Sequence, residues 1–159
     1  MTERLWAPWR LEYIESGGGD GCIFCDKPAL DDDAALIVHR GRRCYVLLNL
    51  YPYSNVHLMV APYRHLATPG ELDEAERAEM WELLDRGIAA LTEAMAPHGF
   101  NCGVNLGRVA GAGVEGHLHL HVVPRWNGDT NFMPVLADVR VMPEHLSRTL
   151  AKVRGAWPS

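Results

Sequence analysis

Three of the eight histidines in this 159-residue chain alternate with leucine, in His117-Leu118-His119-Leu120-His121. Successive side chains of a strand point to opposite faces, so the three imidazoles share one face. Leu118, Leu120 and Val122 share the other, which belongs against a core. Three imidazoles in a row make a poor core, because each carries ring nitrogens that need partners when buried. The pattern therefore suits chemistry, and two kinds compete. Histidines on one strand face can ligate a catalytic metal as neutral bases. Alternatively, one imidazole attacks a phosphorus atom while its neighbours orient it and handle protons. With an ordinary pKa of roughly 6.5, imidazole is largely neutral and nucleophilic at physiological pH. A second acceptor can then cleave the phosphoramidate it forms.

The other chemistry-bearing residues are the four cysteines. Cys22 and Cys25 form a Cys-x-x-Cys pair, which in a cytosolic chain reads as metal or redox rather than as a structural disulfide. The pair does not open a helix in a thioredoxin-like strand–helix unit, which disfavours redox work. Cys44 and Cys102 stand alone in apolar stretches and are expected as small buried side chains. The formal net charge is −5, with no cluster of Lys and Arg. This argues against polymeric nucleic acid as a partner and leaves a small anionic substrate open. No apolar run approaches the roughly 20 residues that span a bilayer. The N-terminus lacks a signal pattern, so a cytoplasmic protein is expected.

Elements must position these groups. Residues 1–21 read as an N-terminal arm, aromatic through Trp6, Trp9 and Tyr13 and ending Gly-rich; 22–159 read as a single domain. Cys22 to Cys25 suggests a tight knuckle, and Asp31 to Asp33 an acidic loop. Strands are expected at Ala35–His39, Cys44–Asn49, Val56–Ala61 and Phe100–Leu106. A turn at 51–55 links the second and third. The pattern from Thr68 predicts a long helix: Thr68 with Glu71 has capping-box spacing, and Pro69 suits the first turn. Gly99 is its expected stop. A Gly-rich loop, Gly107 to Gly116, leads into the histidine strand, which Pro124 should end. A last helix is expected from near Pro143 to about Arg154. Strands grouped around long helices, without regular alternation, imply an α+β fold with an antiparallel sheet.

The run His117-Leu-His-Leu-His-Val-Val-Pro124 resembles the histidine-triad signature, and the resemblance covers nearly the whole chain. Leu5-Trp-Ala-Pro-Trp-Arg-Leu-Glu-Tyr-Ile14 looks like the start of a bacterial subgroup. So do Gly111-Ala-Gly-Val114 and Pro124-Arg-Trp-Asn-Gly-Asp-Thr-Asn-Phe-Met-Pro134. Some members of that subgroup are diadenosine tetraphosphate phosphorylases. The resemblance implies the histidine-triad fold, with about five antiparallel strands and two main helices, paired into a homodimer. It implies a nucleotide substrate, cleaved by water or by inorganic phosphate. His119 would be the nucleophile, His121 would touch the phosphate or bridging oxygen, and His117 would orient the site. His57 matches the family's fourth histidine.

Asn49, eight residues before His57, matches a position that binds ribose hydroxyls, which a short amide at a strand end can engage. Asn105 with Gly111 and Gly113 suggests a phosphate cradle of backbone N–H groups. One departure stands out: Gly113 and Val114 occupy places where related chains carry Gln and then Ser or Thr. Trp126 suits either base stacking or packing, and Arg108 and Arg125 suit either phosphate or solvent. Cys22 and Cys25 are half of a structural zinc site, which His65 and His117 would complete, similar to the uridylyltransferase branch. Two rival readings stay open here: a zinc hydrolase with His117, His119 and His121 as ligands, and a nucleotide-binding module without turnover.

Overall fold

The computed structural model describes residues 21–50, 52, 56–129 and 145–159; the N-terminal arm, most of the 51–55 turn and Pro143 lie outside them. Two one-turn helices come first, α1 (Ile23–Asp26) and α2 (Asp32–Ala35). They precede strands β1 (Ile37–Arg40), β2 (Cys44–Leu48) and β3 (Leu58–Pro62). The long helix α3 (Glu74–Met95) follows, then β4 (Gly99–Val104), β5 (Leu120–Arg125) and the final helix α4 (Leu146–Gly155). The five strands form one antiparallel sheet in the order β1-β2-β3-β5-β4. The fold is the expected α+β arrangement, and β5 lies inside the sheet, flanked on both sides; it takes in His121, whereas His117 and His119 lie just before it, so the strand is shorter than the histidine run.

The pleat sorts residues as the sequence requires. Leu118, Leu120 and Val122 join Val46, Leu58 and Val60 in the larger core, under Leu83, Leu84 and Leu91 of α3 and Leu150 and Val153 of α4. Burying each of these side chains contributes about 1.5–3 kcal/mol. A smaller cluster on the other face joins Phe24 and Ala35 to Ile37, Tyr45, Leu47, Met59 and Ala61. That second face carries the site.

Several boundaries differ from the sequence reading, each for a local reason. Thr68 and Glu71 do form a capping box, but around the single 3-10 turn Pro69–Glu71. A second box, Asp73 with Glu76, starts α3 at Glu74. Ala96, not Gly99, ends α3, with φ 46° and its N–H on Thr92 O; the following Pro97 bars a further helical residue. Asp31 is no loop residue but the cap of α2, its carboxylate accepting from Asp33 and Ala34 N–H. This one-turn helix takes up Ala35, so β1 begins at Ile37. Pro124 does not end the histidine strand. The last partner on the β3 side is opposite Val122, and Pro124 pairs across β4 with Phe100, so its missing N–H costs little there. Cys44 is buried as expected, whereas Cys102 is exposed on the edge strand β4.

Two carboxylates of α3 lock the sheet to the helix. Glu79 accepts the N–H groups of Arg42, Arg43 and Cys44 at 2.7, 2.6 and 2.9 Å. The approach needs glycine at 41, where a Cβ would lie 2.7 Å from Glu79 Oε1 and 2.8 Å from Cys44 O. Glu76, buried, takes Arg64 through both oxygens at 2.6 Å each and the N–H of Asp73 at 2.9 Å. At the start of the edge strand β1, Arg154 of α4 donates to Ile37 O at 3.0 and 2.6 Å and pairs with Asp33.

The Arg64 bonds hold the Glu76 carboxyl down, to about 2 from the ordinary 4.5. A depressed acid stabilises the fold fully above its unfolded pKa and loses that contribution as pH falls through the folded value. The thermal midpoint should therefore drop between about pH 4.5 and 2, and Glu76→Gln should flatten the drop. Parallel curves for the two proteins would exclude this role for the pair.

Candidate functional site

Strand register gathers the histidines. Met59 sits across from His121, so His57 is the diagonal neighbour of His121 on the same face. His57 Nε2 lies 2.8 Å from His121 Nδ1. Asn49 extends the β2–β3 pairing by one step, its N–H on His57 O at 2.8 Å. Its side-chain Nδ2 reaches His57 Nδ1 at 3.2 Å. On the other flank Asn105, just past β4, brings Nδ2 within 3.4 Å of His121 Nε2 and of Gly111 O. A polar chain thus runs Asn49–His57–His121–Asn105 across the four adjacent strands β2, β3, β5 and β4. Each proton in such a chain fixes the tautomer of the next ring.

His119 stands beside this chain, its ring meeting that of His121 edge-on at 4.8 Å. His119 Nδ1 lies 2.8 Å from His117 O. A carbonyl only accepts, so Nδ1 carries the proton and Nε2 keeps the lone pair. Burial favours the neutral ring and lowers its pKa, against the smaller opposing effect of the His117 carbonyl. A neutral imidazole with Nε2 unprotonated is the form that attacks phosphorus.

His117 faces elsewhere. Its Nε2 lies 2.8 Å from Pro62 O and so holds the proton. That leaves Nδ1 as a lone pair, 3.3 Å from Cys22 Sγ and 3.5 Å from Cys25 Sγ. His65 Nδ1 is 3.4 Å from Cys25 Sγ, and the ligand atoms of all four residues lie within 4.8 Å of one another. Tetrahedral zinc, with bonds of about 2.3 Å to sulfur and about 2.0 Å to nitrogen, sets its ligand atoms about 3.3–3.8 Å apart. The donor set fits in chemistry too. Burial and then the neighbouring Cys22 push the Cys25 thiol up to about 11, so a cation is what would hold that sulfur as a thiolate at neutral pH. Three triad histidines around one metal find no support, because His117 commits both ring nitrogens away from His119 and His121.

The structure brings together His57, His117, His119, His121, Asn49, Asn105 and Gly111, and separately Cys22, Cys25, His65 and His117. The indole N–H of Trp126 donates to Met95 O at the end of α3. Arg125 pairs with Asp129 and Asn101. Arg108 pairs with Glu115, whose carboxylate also accepts the Arg108 N–H at 2.6 Å and closes the Gly-rich loop. Gly107 and Gly111 turn that loop at φ 81° and 95°, and Gly113 is exposed on it. One residue of the site escapes the sequence reading: Phe24, between the two cysteines, stacks on His119.

Comparison with known proteins agrees with this geometry. The HIT domain family matches residues 32–128. A Mycobacterium tuberculosis protein named AP-4-A phosphorylase is 38% identical over 166 aligned positions, covering 99% of this chain and 85% of that protein. The crystal structure of a histidine triad nucleotide-binding protein from Sulfolobus tokodaii superposes with a TM-score of 0.67 at 26% identity, covering 85% of this chain and 91% of that one. A Zn-bound histidine triad family protein from Mycobacterium smegmatis gives 0.66 at 23% identity, covering 86% and 92%. The chain belongs to the HIT domain family, whose fold it shares, and it is a nucleotide-transferring or nucleotide-hydrolysing enzyme. No helix among the described residues is long and apolar enough to cross a membrane.

Proposed function

We propose that this protein cleaves dinucleoside polyphosphates of the diadenosine tetraphosphate type at the α-phosphorus, through a nucleotidyl-histidine. The carrying observation is the His119 ring, with Nδ1 committed to the His117 carbonyl and Nε2 left as a lone pair. The name of the mycobacterial relative supports the substrate class. In the first step a bond forms between His119 Nε2 and the α-phosphorus, and the bond from that phosphorus to the bridging oxygen breaks. The electron pair leaves with the oxygen of the departing nucleotide, and His121, backed by His57, serves that oxygen as hydrogen-bond partner. In the second step an acceptor oxygen bonds to the phosphorus, the Nε2–phosphorus bond breaks with its electron pair returning to Nε2, any proton lost by the attacking oxygen passes to solvent, and the neutral ring returns. Asn49 suits the ribose hydroxyls. Asn105 and the Gly111–Gly113 backbone suit the phosphates, which the absent Gln and Ser side chains cannot contact. His117 orients His119 through its carbonyl.

Diadenosine tetraphosphate with and without inorganic phosphate tests the reading. ATP forms in both cases; ADP beside it marks phosphate as the acceptor, and AMP marks water. Phosphate is the expected acceptor. His119→Ala should lose at least about 10³-fold in kcat, and full turnover by that variant would sink the nucleophile.

Zinc on Cys22, Cys25, His65 and His117 completes the proposal, as a structural ion tying α1 to the catalytic strand. It supplies cohesion and orientation rather than chemistry on the substrate. Metal analysis should find about one zinc per chain, and Cys22→Ser should lower both zinc content and thermal midpoint. Zinc-free protein of unchanged stability would remove the ion from the account.

The open edge of β4, exposed from Asn101 to Val104, is the surface on which we place the homodimer, since unpaired edges seek a partner strand. Sedimentation should give twice the chain mass, and Val104→Lys should halve it. A wild-type monomer at micromolar concentration contradicts the pairing.

A further inference from the structure

The bond from His119 Nδ1 to the His117 carbonyl fixes one atom of the nucleophile. It does not by itself fix the ring plane, because χ2 of histidine is a broad torsion. Something must hold the plane if Nε2 is to face phosphorus in line. Phe24 is in position to do so. Its ring is stacked on His119 with centroids 4.6 Å apart and planes 26° from parallel. It also touches His117 at 5.3 Å, tilted by 40°. The edge-on contact with His121 limits the His119 ring from a second direction.

Phe24 is itself immobilised. It is only 2% exposed, and its carbonyl accepts the Tyr45 hydroxyl at 2.8 Å. The residues around it in the one-turn helix, Cys22 and Cys25, face the His65–His117 pair. A four-residue helix is too short to hold a side chain rigidly on its own, so the anchoring comes from these contacts on either side of the ring.

We propose that Phe24 is a positioning residue for His119, holding the imidazole plane so that Nε2 points at the scissile phosphorus. The proposal rests on the nucleophile assignment above. It gives the Cys-x-x-Cys knuckle a second purpose: the segment that carries the sulfurs also carries the ring that aligns the nucleophile. Leucine at 24 keeps an apolar contact but loses the flat face. Tyrosine keeps the face.

The test compares wild type, Phe24→Leu and Phe24→Tyr by zinc content, His119 ring-proton NMR shifts, and the burst of nucleotidyl-enzyme formation from diadenosine tetraphosphate. The His119 signals are assigned by their loss in His119→Ala. In wild type they should lie upfield of an unstacked imidazole, through the Phe24 ring current. In Phe24→Leu they should move downfield, with zinc retained and the burst slowed on the order of ten- to a hundredfold. The substrate concentration at half-maximal burst rate should hardly change, and Phe24→Tyr should restore both shift and rate. Unstacked shifts in wild type, an unslowed burst in Phe24→Leu, or a loss confined to substrate affinity each overturn the proposal. If Phe24→Leu does not fold, the wild-type shifts and the Phe24→Tyr burst decide. Wild type forming no covalent nucleotide at all would instead refute the nucleophile assignment, and the shift comparison would still report on the stack.

Discussion

The imidazole of His119 has two nitrogens, and a main-chain carbonyl takes the proton of one of them. Much of the site depends on that hydrogen bond. It sets the tautomer, and the tautomer decides which nitrogen is a base. The acceptor is the carbonyl of His117, two residues back on the same stretch of chain, so the His119 ring is oriented by backbone it does not have to recruit from elsewhere. The constraint then passes to His117, whose carbonyl direction follows from where its own ring is held. That ring is fixed at one nitrogen by Pro62 O at the end of β3, and its other nitrogen faces two sulfurs. Orientation of the His119 ring is thereby shared between a sheet and a small Cys/His cluster.

The two faces of the sheet divide the labour. The helix-covered face contributes burial and little chemistry. The other face carries a smaller apolar cluster, and Phe24 of that cluster lies against the rings of His117 and His119. The clamps between the layers also serve the site. Glu76 grips Arg64, the residue before His65 of the Cys/His cluster. Glu79 grips the β1–β2 turn. A buried carboxylate with several donors is stable only while all of them are present, so these clamps leave the layers little freedom to slide.

Much of this was legible in the sequence because strand alternation is an unforgiving signal. His117, His119 and His121 on one face and Leu118, Leu120 and Val122 on the other follow from a period of two. The pairing of Cys22 and Cys25 with His65 and His117, 40 to 95 residues apart, follows from no local pattern, and only the family resemblance proposed it. The failures were local competitions. Two capping boxes lie five residues apart at Thr68 and Asp73, and the sequence alone does not say which starts the long helix. Pro124 looks like a strand end until the one-sided pairing beyond Val122 is known. Trp126 gives no sign that its indole belongs to the end of α3. Phe24, an apolar residue between two cysteines, looks like a spacer in the sequence; its place against His119 is a property of the folded knuckle.

The choice of a carbonyl behind His119, where many histidine-dependent sites place a carboxylate, bears on what the adduct can do. When Nε2 takes up a phosphoryl group the ring becomes cationic. A carboxylate would stabilise that cation strongly, whereas a neutral carbonyl in a buried setting stabilises it weakly. Burial already disfavours charge on this ring. A nucleotidyl-histidine formed on this ring would therefore be kept reactive, with a good leaving group in the neutral imidazole, and would pass its nucleotide on rather than rest as a stable intermediate. This balance requires that the ring not reorient while charged. Immobility has to come from contacts that carry no charge, such as the main-chain hydrogen bond and the flat apolar face of Phe24.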